Sequence, residues 1–151
     1  MATTALKGTP VQTNSDLPAS GSTAPDFLLI GADLGENTLG SFAGKKKIFT
    51  INPSYDTPVC QATARAFNQR VAGLDNVVVL VVSPDLPFAQ KRFCETEGLR
   101  SVTAASDVRD RSLGGRWGVA RAEGPLQGGM ARAVVVVGTA AKTQYADRGP
   151  D

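Results

Sequence analysis

Ile48-Phe49-Thr50-Ile51-Asn52-Pro53-Ser54-Tyr55-Asp56-Thr57-Pro58-Val59-Cys60 reads as strand, turn and helix start in one continuous piece. Ile48 to Ile51 has the apolar, β-branched character of a buried strand. The proline-containing turn at Pro53 ends it. Thr57 followed by Pro58 is an N-cap and the favoured first residue of a helix. Val59, Ala62, Ala66, Phe67 and Val71 then keep helical spacing, so the helix is predicted from about Pro58 to Val71. Cys60 is its third residue. The sulfur therefore lies in the first turn, where backbone N–H groups lack intrahelical partners and the positive helix end favours thiolate over thiol. A thiolate is the nucleophile. A cysteine at a helix start is equally at home as a small buried hydrophobe, and placement alone leaves both readings open.

Downstream, Val77 to Val82 is an unbroken apolar run, as expected of a strand buried on both faces. Pro87 opens a second helix through Phe88, Ala89, Phe93 and Cys94, with Gly98 as its stop. Ser101 to Ala105 is predicted as a short strand, and Arg111 to Trp117 as a short helix weakened by Gly114-Gly115. Ala133 to Val137 is another buried strand, with residues 141 to 146 as its hairpin partner. Upstream, Phe27 to Ile30 is a strand, and Lys45-Lys46-Lys47 reads as a solvated strand end. Residues 1 to 23, rich in Thr, Ser, Gly and Pro, read as a surface arm with a short hairpin around Lys7-Gly8-Thr9-Pro10. Strands alternating with helices give an α/β class, and a single domain over residues 1–151 is expected.

Composition narrows the chemistry. An apolar fraction of 42% and a charged fraction of 20% are those of an ordinary globular chain. A net charge of +2 gives no reason to expect nucleic acid or a membrane as partner. No apolar stretch reaches transmembrane length, and MATTALKGTPVQTNSDLPASG has no signal-peptide core, so a cytoplasmic location is expected. Histidine is absent, which removes Ser-His-Asp triads, Cys-His pairs and His-containing zinc sites. The 2 cysteines, Cys60 and Cys94, are too few for a structural zinc site, so redox or nucleophilic chemistry is expected, with no metal. They do not form the Cys-x-x-Cys pair of a dithiol reductase. Gly128-Gly129-Met130 and Leu113-Gly114-Gly115-Arg116 lack the context of a phosphate cradle, and no cofactor is expected.

Pro53, Thr57 and Cys60 match the peroxiredoxin pattern Pro-x-x-x-Thr-x-x-Cys. The match extends through Leu39 to Lys45, Ser83-Pro84-Asp85-Leu86-Pro87-Phe88-Ala89-Gln90-Lys91-Arg92-Phe93-Cys94, Gly118-Val119, Gly124-Pro125-Leu126 and Ala131-Arg132-Ala133-Val134, covering most of residues 5 to 138. Over this length the chain resembles the thiol peroxidase branch, the atypical two-cysteine peroxiredoxins. The resemblance implies a thioredoxin-like fold, with a central mixed β-sheet flanked by helices and an N-terminal β-hairpin. It implies Cys60 as the peroxidatic cysteine, Thr57 as the hydroxyl that orients peroxide and thiolate, Arg132 as the guanidinium beside the thiolate, and Pro53 as the shield over the pocket. Cys94 is implied as the resolving cysteine, 34 positions on, forming an intrachain Cys60–Cys94 disulfide. Bridged Cα atoms lie within ~7 Å, so local unwinding is expected, with Gly98 and the Ser83-to-Pro87 lead-in as its weak edges.

The same resemblance implies hydrogen peroxide and organic (alkyl or lipid) hydroperoxides as substrates, thioredoxin as reductant, and a homodimer formed near the active-site turn. Pro53, Phe88 and Phe93 are expected to frame a pocket for an apolar tail. Asn52 stands where the family usually has an apolar residue, and it needs a hydrogen-bond partner if buried. The family has a C-terminal helix where this chain stops, at Ala146 to Asp151, so the expectation is a C-terminally short domain. The competing expectations are a thioredoxin-fold redox sensor or disulfide carrier, and an inactive truncated relative.

Overall fold

A computed structural model describes residues 3–6, 9–12, 17–56, 58–71, 76–120, 122 and 130–148. Strand β1 (Thr3–Leu6) pairs antiparallel with β2 (Thr9–Gln12), as the expected N-terminal hairpin requires. Lys7 and Gly8, where the turn was expected, lie outside the described residues.

The main sheet has seven strands: β3 (Leu29–Gly31), β4 (Glu36–Asn37), β5 (Lys46–Ile51), β6 (Val77–Ser83), β7 (Thr103–Ser106), β8 (Ala133–Val137) and β9 (Thr143–Arg148). Their spatial order is β4-β3-β7-β6-β5-β8-β9. β6 runs parallel to β5 and β7, and the other pairings are antiparallel, which makes the sheet mixed. Helix α1 (Pro58–Val71) links β5 to β6, and α2 (Pro87–Glu97) links β6 to β7. Helix α3 (Ser112–Arg116) precedes β8. This is the thioredoxin-like arrangement.

Alternation along β6 builds two cores. Val79 and Val81 pack under the helices with Tyr55, Ala64, Phe67, Phe93, Leu99 and Val102. Leu80 and Val82 face the other side with Phe49, Ile51, Val135 and Val137. There Phe27, Phe49 and Trp117 meet edge to face, with ring centroids 4.7 to 5.7 Å apart.

Several expected boundaries move. Phe27 belongs to the core but precedes β3. β9 begins at Thr143 because residues 138–142 make the turn, with Ala141 at φ 62°. The lysine triplet is not wholly solvated. Lys45 and Lys46 are exposed, but Lys47 is 1% exposed and its Nζ donates to the Gly138 carbonyl at 3.4 Å. Strand alternation puts Lys47 on the face of Phe49 and Ile51, and burial lowers its pKa.

Gly114, a weak helix former, has a packing reason. The N–H groups of Leu113 and Gly114 both donate to the buried Asp107 carboxylate at 3.2 Å. A Cβ at position 114 would lie 3.0 Å from Asp107 Oδ2. Burial nevertheless outweighs those two bonds and pushes the Asp107 pKa from 3.8 up to about 6. Protonation is therefore easier in the folded chain than in the unfolded one. The resulting stability is complete below pH 3.8 and is lost as pH rises through about 6. The gap between 3.8 and about 6 corresponds to about 3 kcal/mol. In urea titrations from pH 4 to 7, the stability of wild type relative to Asp107→Asn should fall by about 2–3 kcal/mol. A difference that stays level with pH overturns this assignment.

Candidate active site

Cys60 is the third residue of α1, and it is fully buried. Its Sγ accepts a hydrogen bond from Arg132 Nη2 at 3.0 Å. Arg132 comes from the residue just before β8, 72 positions away in sequence. The antiparallel register that pairs Ile51 with Ala133 brings it level with Asn52, just past the end of β5. Arg132 Nη1 donates to Asn52 Oδ1 at 3.1 Å.

Asn52 is fully buried and well satisfied. Its Nδ2 donates to the Thr50 carbonyl at 2.9 Å, and its backbone N–H donates to the Val82 carbonyl at 2.9 Å. These bonds fix the amide, and the amide fixes one arm of the guanidinium while the other reaches the sulfur. Asn52 is thus a positioning residue for Arg132. The sequence signal was a polar side chain wedged between a buried strand and a proline. Its partner was invisible without the β5–β8 register.

The loop from Pro53 to Asp56 is tied down from the β6–α2 side. Asp85 accepts bonds from the Tyr55 N–H at 2.8 Å and Ser54 Oγ at 3.0 Å on separate carboxylate oxygens, and from Ser83 Oγ at 2.8 Å. Gln61 Nε2 donates to the Tyr55 carbonyl at 2.9 Å. Gln90 Nε2 donates to Ser83 Oγ at 3.0 Å and to the Ala105 carbonyl at 2.9 Å. The Ser83-to-Pro87 lead-in is therefore a clamp and not a weak edge. Gly98 does close α2 in the left-handed region, at φ 67°. Pro53 is half-buried at the head of the loop. Thr57, with its expected capping and orienting roles, lies outside the described residues, as do Gly124 to Leu126.

Cys94 sits in the last full turn of α2, half-buried, and is not bridged to Cys60. It borders a surface hollow with Gly31, Asp33, Asn37, Val102 and Ala104, on the β3–β7 side of the helix. Burial first, then the Glu95 carboxylate, pushes its pKa up. Phe93 turns the other way, into a cleft lined with Tyr55, Gln61, Asp85 and Arg92. The expected frame of Pro53, Phe88 and Phe93 is not formed around that cleft. Phe88 is 68% exposed, and Phe93 is stacked on Tyr55.

The structure brings Cys60, Arg132 and Asn52 together, and seats Cys94 elsewhere. The Arg132 guanidinium, a permanent cation, thus lies directly against a buried sulfur. Among the described residues, no helix is long and apolar enough to cross a membrane.

A family model described as Redoxin matches residues 19–151. The chain is 46% identical to the thiol peroxidase of Mycobacterium tuberculosis (strain ATCC 25618 / H37Rv) over 151 residues, all of this chain and 90% of that one. It is 45% identical to the thiol peroxidase of Leptospira interrogans (serovar Lai, strain 56601) over 148 residues, 97% of this chain and 86% of that one. The crystal structure of a peroxiredoxin-like protein from Aquifex aeolicus superposes with a TM-score of 0.93 at 40% identity, covering 99% of this chain and 87% of that one.

Proposed function

Since the chain belongs to the redoxin family, in the thiol peroxidase branch of the peroxiredoxins, we propose that it reduces hydrogen peroxide and organic hydroperoxides through Cys60 and Cys94. What carries this reading is the Arg132 guanidinium, 3.0 Å from the buried Cys60 sulfur. The Cys60 thiolate attacks the terminal peroxide oxygen. An S–O bond forms, the O–O bond breaks, and the departing alkoxide or hydroxide takes a proton. Cys60 is left as sulfenic acid. Arg132 offsets the charge that builds on the peroxide, Thr57 orients it, and Pro53 limits access of water.

Cys94 then attacks the sulfenic sulfur. The S–S bond forms as the S–O bond breaks, and the hydroxide leaves with the thiol proton as water. A thioredoxin dithiol reduces the bridge by exchange, which sets the working compartment as the reducing cytoplasm. The raised pKa of Cys94 keeps it a thiol in the folded helix. Leaving α2 relieves the burial that causes this, so resolution and unwinding go together. Leu86 and Phe88 stay exposed beside the Asp85 clamp and supply the apolar face for a homodimer near the active-site turn. One domain spanning the chain performs the whole cycle.

The test is a peroxide pulse followed by thiol trapping and peptide mapping. Wild type should give rapid loss of the Cys60 thiol, then a Cys60–Cys94 bridge. Cys94→Ser should oxidise as fast in the first step but stop turning over with thioredoxin, and Cys60 should advance to sulfinic acid. Normal thioredoxin-dependent turnover in Cys94→Ser removes Cys94 from the cycle.

A further inference from the structure

We propose that Tyr55 is the latch that holds the Cys60 loop and the Cys94 helix in their separated seats, and that its release sets the rate of disulfide formation. The inference rests on the Cys60–Cys94 reading above. Tyr55 is buried and fixed in three ways. Its backbone N–H donates to Asp85 at 2.8 Å. Its phenol donates to the Val81 carbonyl on β6. Its ring lies on Phe93, centroids 5.0 Å apart and planes within 10°. Phe93 is the chain neighbour of Cys94, so one side chain joins the loop that enters α1 to the helix that carries the second thiol.

Tyr55 also lies within electrostatic reach of both sulfurs. Its pKa is raised well above the usual 10.0, by burial first and then by Cys94, Asp85 and Cys60. Disulfide formation needs the two Cα atoms within ~7 Å. Cys60 is seated on Arg132, whereas Cys94 borders the β3–β7 hollow. The helix must turn or unwind for the sulfurs to meet, and Phe93 leaves its place only when Tyr55 lets go. Among the described residues α1 and α2 are also linked by the exposed Arg65–Glu97 pair at 3.3 Å, which is worth little in water. The buried phenol is therefore the stronger hold.

Tyr55→Phe keeps the ring and its stack and deletes one buried hydrogen bond. Disulfide formation after a peroxide pulse should be roughly fivefold faster, the ordinary worth of such a bond. The peroxide concentration that drives half of Cys60 to sulfinic acid should rise by the same factor. Phe93→Leu removes the stack instead and should shift both readings in the same direction. Quench-flow with alkylation and mass spectrometry records the first oxidation and the bridging step separately. A general loosening of the site would slow the first oxidation, and a parallel fall of both steps overturns the latch. Bridging at the wild-type rate or slower in both variants overturns it too. If wild type forms no Cys60–Cys94 bridge, the disulfide reading and the latch fall together, a result distinct from either of these.

Discussion

Cys60→Ser lowers hydroperoxide turnover by at least roughly a thousandfold. The variant is nearly isosteric, so the Arg132 donor and the Asn52 amide that orients it keep their seats. What disappears is the sulfur nucleophile. A hydroxyl is un-ionised at neutral pH and needs a general base, and this chain has 0 histidines to supply the usual one. Serine also has no counterpart of the sulfenic acid, so the second half of the cycle has nothing to act on. Cys94 is a poor substitute, because burial and Glu95 raise its pKa. Peroxide consumption with thioredoxin as reductant, measured beside a thermal melt that verifies folding, checks the prediction. A tenth of the wild-type rate in a folded Cys60→Ser variant places the nucleophile elsewhere.

The elements that were legible in the sequence are those set by local pattern. Helix α1 runs from Pro58 to Val71, as the spacing of Val59, Ala62, Ala66, Phe67 and Val71 requires, because periodicity is a property of one segment alone. The apolar run from Val77 found its place at the centre of the sheet for the same reason. Features that depend on a distant partner were not legible. Strand β4, Glu36–Asn37, is two polar residues long and exists by pairing with Leu29 and Ile30. Lys47 looked solvated within its triplet, but the register of β5 decides its side. Arg132 entered the site only through family resemblance, since no spacing rule connects a residue before one strand to a cysteine 72 positions earlier. Asn52 was noticed as an oddity, and Tyr55 not at all. Each owes its role to a partner on another element: Arg132 for the first, Phe93 and Val81 for the second.

Arg132→Met separates the two things that a guanidinium does for a thiol. The substitution keeps much of the apolar stem and removes the charge and the fork of donors. One arm of that fork holds the Cys60 sulfur at 3.0 Å and the other holds Asn52 at 3.1 Å. Losing the charge removes the cation that faces the sulfur, while the N-terminal turn of α1 stays in place. Losing the donor also removes stabilisation of the oxygen that becomes negative as the O–O bond breaks. One such donor is commonly worth roughly 3 kcal/mol, a hundredfold or more in rate. The peroxide rate should therefore fall further than the alkylation rate does. Parallel pH profiles of Cys60 reactivity resolve the two, because alkylation by a simple reagent reports thiolate alone, whereas peroxide reduction adds the transition state. Equal falls at pH 7 reduce Arg132 to an electrostatic bias on the thiol. If neither rate falls, the 3.0 Å contact has no catalytic consequence, and the peroxidase reading loses the observation that carries it.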